Sequence, residues 1–145
     1  MRTSDEPIVV EQTFDVPAAV VWRAITDAEE MRQWFFDNIP EFEPAVGFET
    51  RFNVRAGGRD FLHLWTITEV VPVRRIMYDW KYAGYDGDST VTFELFARGA
   101  ETSLKVTAVV MEDFPDDIPE FTREAGVEGW TYFIQKRLEV FLSRP

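Results

Sequence analysis

Residues 59–82 read RDFLHLWTITEVVPVRRIMYDWKY and decide the fold. On each side of Pro72, alternate side chains are apolar or aromatic, which is typical of a strand with one buried face. Because proline has no amide hydrogen for a sheet ladder, we expect one strand to end there and a second to follow. The side chains expected to face the core are Phe61, His63, Trp65, Ile67, Ile76, Tyr78, Trp80 and Tyr82.

The same two-residue period continues on both sides of this pair. It predicts strands at residues 48–55, 91–95 and 104–108, and the β-branched run at residues 8–14 predicts one more. Glycine-containing turns separate several of these strands. Because consecutive strands joined by short turns pair with their neighbours, the sequence predicts an antiparallel meander, with residues 8–14 closing one edge.

Helical patterns lie on both sides of the meander. After residues 8–14, apolar side chains at helical spacing predict two short helices, with Asp15 and Asp27 as their N-caps. Residues 116–142 predict a long helix that is capped at Asp117. Its apolar stripe consists of Trp130, Phe133, Ile134, Leu138 and Phe141. The expected fold class is α+β, in which a curved antiparallel sheet grips a long C-terminal helix.

Two glycines, Gly126 and Gly129, lie within the long helix. Each costs about 1 kcal/mol relative to alanine in a helix interior. Either the regular helix begins near Val127, or the glycines let the helix backbone approach the sheet closely.

The composition is that of a globular protein and excludes several functions. With 145 residues, the chain has the usual length of one domain, residues 1–145. Its formal net charge is −11, so we expect no nucleic-acid partner and no stable association with anionic membranes. The absence of cysteine excludes disulfides and thiolate metal sites. No signal-peptide pattern is visible, and the expected location is cytoplasmic.

Four strings of residues resemble those of a known family. They are Phe14 to Asp27 with Trp34-Phe35, Thr68 to Trp80, Ser89 to Leu95, and Gly129-Trp130. In this order they resemble START-like, helix-grip (SRPBCC) proteins, and most of all the activator of Hsp90 ATPase homologue 1-like domain family. The resemblance covers nearly the whole chain. One departure from the family is Phe36-Asp37-Asn38, which replaces the glycine that commonly follows the Trp-Phe pair, so we expect a differently shaped loop there.

This resemblance implies a place for a ligand more clearly than a reaction. Similar proteins hold lipids, sterols, hormones or polyketides between the sheet and the helix, while some superfamily relatives are cyclases or hydratases and others assist a chaperone. We therefore expect a small-molecule binding protein without a cofactor. Two alternatives stay open: a cyclase- or hydratase-type enzyme with proton-transferring groups in the cavity, and a chaperone-associated interaction module. The chain is expected to be a monomer or a homodimer.

Aromatic residues make up 15% of the chain, and they either fill the core or line a cavity. The rings expected at the sheet–helix space are Trp34, Phe52, Trp65, Tyr78, Trp80, Phe93 and Phe133. The polar groups expected to orient a ligand are His63, Tyr78 and Arg137. As the only histidine, His63 cannot build a histidine-based metal site. The acids at residues 112–117 lack the spacing of a calcium loop, so we name no metal ligand and no catalytic residue.

Overall fold

The computed structural model describes residues 1–144, in which six strands form one antiparallel sheet. The strands are β1 (Ile8–Phe14), β2 (Glu49–Ala56), β3 (Arg59–Val71), β4 (Arg75–Tyr82), β5 (Asp88–Arg98) and β6 (Glu101–Glu112). Their order across the sheet is β1-β6-β5-β4-β3-β2. The predicted meander is confirmed, and β1 closes one edge by pairing along β6.

Helices cover one face of this sheet. Two short helices follow β1, and a 3₁₀ turn precedes a continuous C-terminal helix whose middle part is π-helical. These elements are α1 (Ala18–Thr26), α2 (Ala28–Trp34), the 3₁₀ turn (Pro119–Phe121), α3 (Arg123–Thr131), the π-helical segment (Tyr132–Leu138) and α4 (Glu139–Leu142). The helix-grip fold class predicted from the sequence is therefore confirmed.

Two of the three expected helix caps are wrong. The N-cap of α1 is Pro17 and not Asp15. The C-terminal helix is capped by Thr122, whose hydroxyl accepts from the amide of Ala125 at 3.2 Å, and not by Asp117. The reason is that the 3₁₀ turn ends in extended backbone at Thr122, so the α-helix begins at Arg123, about two turns later than predicted. The cap at Asp27 is confirmed.

The core lies between the sheet and the helices, and the predicted inward rows face it. All side chains of these rows are buried except Tyr82, which is half-buried. The apolar stripe of the C-terminal helix is also on the inner side, with Ile134 and Leu138 fully buried. The inward side chains of the strands and the apolar stripe of the helix therefore form one apolar layer.

Gly126 explains how the C-terminal helix approaches the sheet. A Cβ atom at this position would lie 2.8 Å from Cδ1 of Ile8 in β1, which is closer than normal van der Waals contact. The regular helix begins at Arg123 and not near Val127. The second interpretation of the helix glycines, close approach to the sheet, is thus correct for Gly126.

Candidate functional site

Phe35 is the centre of the aromatic packing beneath the C-terminal helix. Its ring stacks on Trp34, with 4.7 Å between centroids, and meets the edge of Phe133 at 4.9 Å. Trp65 of β3 and Trp130 of α3 lie on other sides of it, at 5.6 and 5.8 Å. Because these rings are in direct contact, the sheet–helix space is filled at this end.

Phe36 continues this packing towards the first half of the helix. Its ring lies 5.0 Å from Phe133 and 5.1 Å from both Phe52 and His63. The chain has a phenylalanine at this position and not a small residue. Its side chain therefore takes up room between the sheet and the helix that a glycine would leave free.

A cavity of about 170 Å³ remains beyond Phe36, between the sheet and the start of the C-terminal helix. Most of its lining is apolar or aromatic. The lining residues come from β1, from β3 to β6, from α3 and from segments next to these elements. An engineered apolar cavity of about 150 Å³ holds benzene, whereas pockets for drug-sized ligands start at about 300 Å³. The space is thus the size of a molecule with one ring.

Small residues of α3 form the helical wall of this cavity. Ala125, Gly126 and Gly129 line it together with Trp130, because positions three and four apart lie on one helix face. Unlike Gly126, Gly129 has no heavy atom within 4 Å of the position that a Cβ would take. Packing therefore does not require glycine at position 129, and its effect is to leave the cavity wider.

A second, smaller aromatic cluster lies at the far end of the cavity. It consists of Phe61, Phe114 and Phe121, and the ring of Phe121 lies 5.3 Å from each of the other two. Met1 packs against this cluster and also lines the cavity, and its carbonyl accepts from the amide of Phe114 at 2.9 Å. The cavity is thus bounded by rings at both ends.

His63 is the buried polar residue of the cavity wall, with only 5% of its surface exposed. Its Nδ1 lies 2.9 Å from the carbonyl oxygen of Phe61, and since a carbonyl can only accept, Nδ1 carries the hydrogen. Burial lowers the pKa of His63 from 6.5 to about 4. At neutral pH the ring is therefore uncharged, and Nε2 presents a lone pair. Within residues 1–144, no hydrogen bond reaches Nε2.

Tyr82 is paired with His63 across β3 and β4, and the two rings meet edge to face at 4.7 Å. The indole Nε1 of Trp80 donates to the hydroxyl oxygen of Tyr82 at 2.9 Å, which leaves the Tyr82 hydroxyl hydrogen for another acceptor. Burial raises the pKa of Tyr82 to about 12, so the phenol keeps its hydrogen at neutral pH. All three residues line the cavity.

The predicted site residues lie in three places in the structure. His63, Trp80 and Phe133 line the cavity. The others with rings pack in the filled part of the space: Trp34, Phe52, Trp65, Tyr78 and Phe93. Arg137 extends away from the cavity, where its guanidinium donates to the carbonyl of Gln33 at 2.8 Å.

Two of the ring residues in the filled part carry polar atoms without a partner. The hydroxyl of Tyr78 and Nε1 of Trp65 are buried and form no hydrogen bond to any described residue. Burial alone raises the pKa of Tyr78 well above its ordinary value. Neither residue lines the cavity, so they do not add polar groups to it.

Sequence reasoning missed several residues that line the cavity, among them Met1, Phe36 and Gly129. Phe36 and Gly129 carried a signal, because each departs from what a family member or a helix interior usually has at that position. Met1 carried none, since it precedes the first strand and belongs to no periodic pattern.

Charged groups play a minor part in the cavity wall. Across the described ranges, Glu120 is the charged residue of the lining, and its carboxylate is paired with Arg59 at 3.3 Å. No group of three or more His, Cys, Asp or Glu side chains in residues 1–144 is arranged to hold a metal ion. Across the same residues, no helix has both the length and the apolar character needed to span a membrane.

Comparison with solved structures shows the same fold in other bacterial proteins. A Chromobacterium violaceum protein is 23% identical with a TM-score of 0.78, and the match covers 96% of this chain and 98% of the other. A Mesorhizobium loti protein is 29% identical with a TM-score of 0.74, over 96% of this chain and 98% of the other.

A third structure, DynU16, is a protein in the dynemicin biosynthetic locus. It is 24% identical with a TM-score of 0.75, and the match covers 95% of this chain and 47% of that chain. Among curated proteins, none matches this sequence. The family model for Activator of Hsp90 ATPase homolog 1-like protein matches residues 15–143. The chain therefore belongs to the Activator of Hsp90 ATPase homolog 1-like family, within the START-like fold.

Proposed function

We propose that this protein binds a small apolar or aromatic molecule in the cavity between the sheet and the start of the C-terminal helix. The observation that carries the proposal is Gly129. This glycine lies inside a helix, where alanine is more stable by about 1 kcal/mol, and no neighbouring atom excludes a side chain. A residue that lowers stability and widens a cavity is expected where the space itself is used.

The cavity wall supports the same proposal. Ligand sites are mostly apolar and contain a few well-placed polar groups. Here the rings of Trp80 and Phe133 supply apolar surface, and His63 supplies one buried acceptor. One structural relative, DynU16, is a protein in a biosynthetic locus, which agrees with a small organic molecule as the ligand.

Binding is favoured over proton transfer by the state of His63. A general base works best when its pKa lies near the working pH. Burial holds the pKa of His63 at about 4, so the ring is a weak base at neutral pH. The same burial makes it a neutral hydrogen-bond acceptor, which suits recognition.

The proposal is tested by filling the cavity from the helix. Thermal midpoints of the wild type are measured with benzene, toluene and indole, and native mass spectrometry records any adduct. We expect at least one compound to raise the midpoint, since a ligand at 100 times its Kd stabilises the folded state by about 2.7 kcal/mol. In Gly129→Leu the added side chain occupies the cavity, and the increase should disappear.

The matched control is Glu128→Leu, which adds the same side chain at the exposed neighbouring position of the helix. This variant should keep the response to ligand. If no compound shifts the wild-type midpoint and no adduct is seen, the proposed function is wrong. A response that survives in Gly129→Leu would place the ligand elsewhere.

A further inference from the structure

The polar atoms of the cavity define what kind of ligand it can take. They are few, and apart from the Glu120 carboxylate the polar side chains of the lining are uncharged: the imidazole of His63, the indole of Trp80 and the hydroxyls of Tyr82 and Ser89. The Ser89 hydroxyl already donates to the carbonyl of Trp80 at 2.7 Å. The unused capacity therefore lies with His63 and Tyr82.

His63 and Tyr82 offer complementary halves of a hydrogen-bonding pair. The Nδ1 hydrogen of His63 is bound by the Phe61 carbonyl, so Nε2 can only accept. The hydroxyl oxygen of Tyr82 accepts from Trp80, so its own hydrogen can be donated. No hydrogen bond between His63 and Tyr82 themselves is formed in the part of the chain that the structure describes, although the two residues are register partners. Nε2 of His63 is thus an acceptor and the hydroxyl of Tyr82 a donor, and neither of these neighbouring groups has its capacity used by a described residue.

We propose, building on the function proposed above, that the ligand is a small phenol whose hydroxyl donates to Nε2 of His63 and accepts from the hydroxyl of Tyr82. A hydroxyl group is the simplest group that both donates and accepts through one oxygen. The cavity of about 170 Å³ admits one ring beside it. Trp80 and Phe133 supply the aromatic surface against which that ring packs.

The same wall argues against a charged ligand. A carboxylate or phosphate in a mostly apolar site needs a cation or several donors around it. In the described lining the charged side chain is Glu120, which is itself an anion and is paired with Arg59. The α-ammonium group of Met1 already donates to the carbonyl of Phe121. An ammonium group would find one carboxylate at Glu120, but that carboxylate is part-exposed and already bound to Arg59.

The test compares four probes of nearly equal size: phenol, toluene, anisole and benzoate. Toluene measures the apolar cavity alone, and anisole keeps an oxygen acceptor but has no hydrogen to donate. Because an unpartnered hydroxyl is costly to bury, an apolar cavity would prefer toluene. We expect the wild type to bind phenol about tenfold more tightly than toluene or anisole, and to show no binding of benzoate, by titration calorimetry.

Two variants separate the contributions of the paired groups. His63→Phe keeps a ring and removes the acceptor, and it should reverse the preference so that toluene binds about tenfold more tightly than phenol. Tyr82→Phe removes only the donor and should weaken phenol by a few-fold with little effect on toluene. Toluene binding in each variant also shows that the cavity and the fold are intact. Tyr85→Phe is the matched control, because its hydroxyl contacts the carbonyl of Asp60 outside the cavity.

The outcomes distinguish this inference from the proposed function. If toluene binds but phenol binds equally or more weakly to the wild type, the phenol assignment is wrong while the apolar site stands. A phenol preference that persists in His63→Phe also overturns the assignment. If neither toluene nor phenol binds, the proposed function fails for ligands with one ring, and the inference fails with it.

Discussion

The C-terminal helix covers the sheet in two different ways along its length. Over its second half, Ile134 and Leu138 are completely buried, and the rings around Phe35 fill the layer below. Over its first half, Gly126 and Gly129 present no side chains, and a cavity lies beneath them. The backbone is α-helical at the glycines and π-helical at Ile134 and Leu138, and the side chains below the helix differ in volume between the two halves.

This contrast shows that the layer between the sheet and the helix can be a packed core at one end and a candidate binding site at the other. Phe36 marks the boundary, since its ring packs with the filled part and also lines the cavity. Substitutions on either side of Phe36 test this difference between the two halves.

Removing the centre of the filled half should have the largest effect. We expect Phe35→Ala to lower the free energy of unfolding by about 4 kcal/mol, because a fully packed ring is replaced by a cavity. Urea denaturation measures the change. Phe96→Ala serves as the control, since 53% of Phe96 is exposed and its loss should have little effect. A small effect of Phe35→Ala would mean that the filled half is not a packed core.

Acid should destabilise the protein through the cavity half. Burial lowers the pKa of His63 from 6.5 in the unfolded chain to about 4 in the folded one. The unfolded state therefore binds a proton first, and the contribution of His63, complete above pH 6.5, is lost as the pH falls towards 4. At about 1.4 kcal/mol for each pH unit, the loss approaches about 3 kcal/mol. In His63→Phe, this slope of unfolding free energy against pH should disappear.

A group on the other side of the sheet changes stability in the opposite direction. Partial burial, together with the neighbouring Asp88 carboxyl, raises the pKa of Asp79 from 3.8 to about 7. The folded state binds the extra proton, so this contribution is lost as the pH rises from 3.8 through 7. Because Asp79 is only partly buried, solvent screens this effect, and we expect only about 1 kcal/mol. In Asp79→Asn the opposing contribution is removed, so the His63 slope should become steeper. An unchanged slope would contradict the opposite sign of the Asp79 effect.

Removing the ring of Phe36, which separates the filled part from the cavity, should change which ligands are bound. We expect Phe36→Ala to lower the free energy of unfolding by about 2 kcal/mol, less than for Phe35 because Phe36 is only half-buried. The space of the lost ring joins the cavity, so naphthalene should bind the variant and not the wild type. Equilibrium titration of naphthalene and toluene against both proteins gives the measurement. Equal naphthalene binding to both would show that Phe36 does not limit the cavity.

The two glycines should give effects of about 1 kcal/mol or less. Gly129→Ala should stabilise the protein by about 1 kcal/mol, because alanine is the better helix former and nothing obstructs its methyl group. Gly126→Ala should bring no such gain, since its methyl group would press on Ile8. Thermal midpoints of the two variants give the comparison. An equal gain at both positions would remove the distinction between close packing and open space.

The inward rows of β3 and β4 and the helix stripe could be predicted from the sequence, because backbone geometry alone sets periods of two and about 3.6. The start of the C-terminal helix could not, since Pro119 and Thr122 compete locally to begin a turn. The extent of the cavity could not be predicted from the sequence either. It depends on where the ring of Phe36 points and on the return of Met1 to the site, and neither leaves a periodic signal.

The pairing of β1 with β6 has a consequence for the order in which the molecule forms. Ile8 has Ala108 as its register partner, so β1 emerges from the ribosome long before its partner strand is synthesised. The hairpins from β2 to β5 join near neighbours and can pair early, whereas long-range contacts of this kind slow folding. The cavity needs β1, β6 and the helix that follows them. We therefore expect the cavity to be the last part of the fold to form.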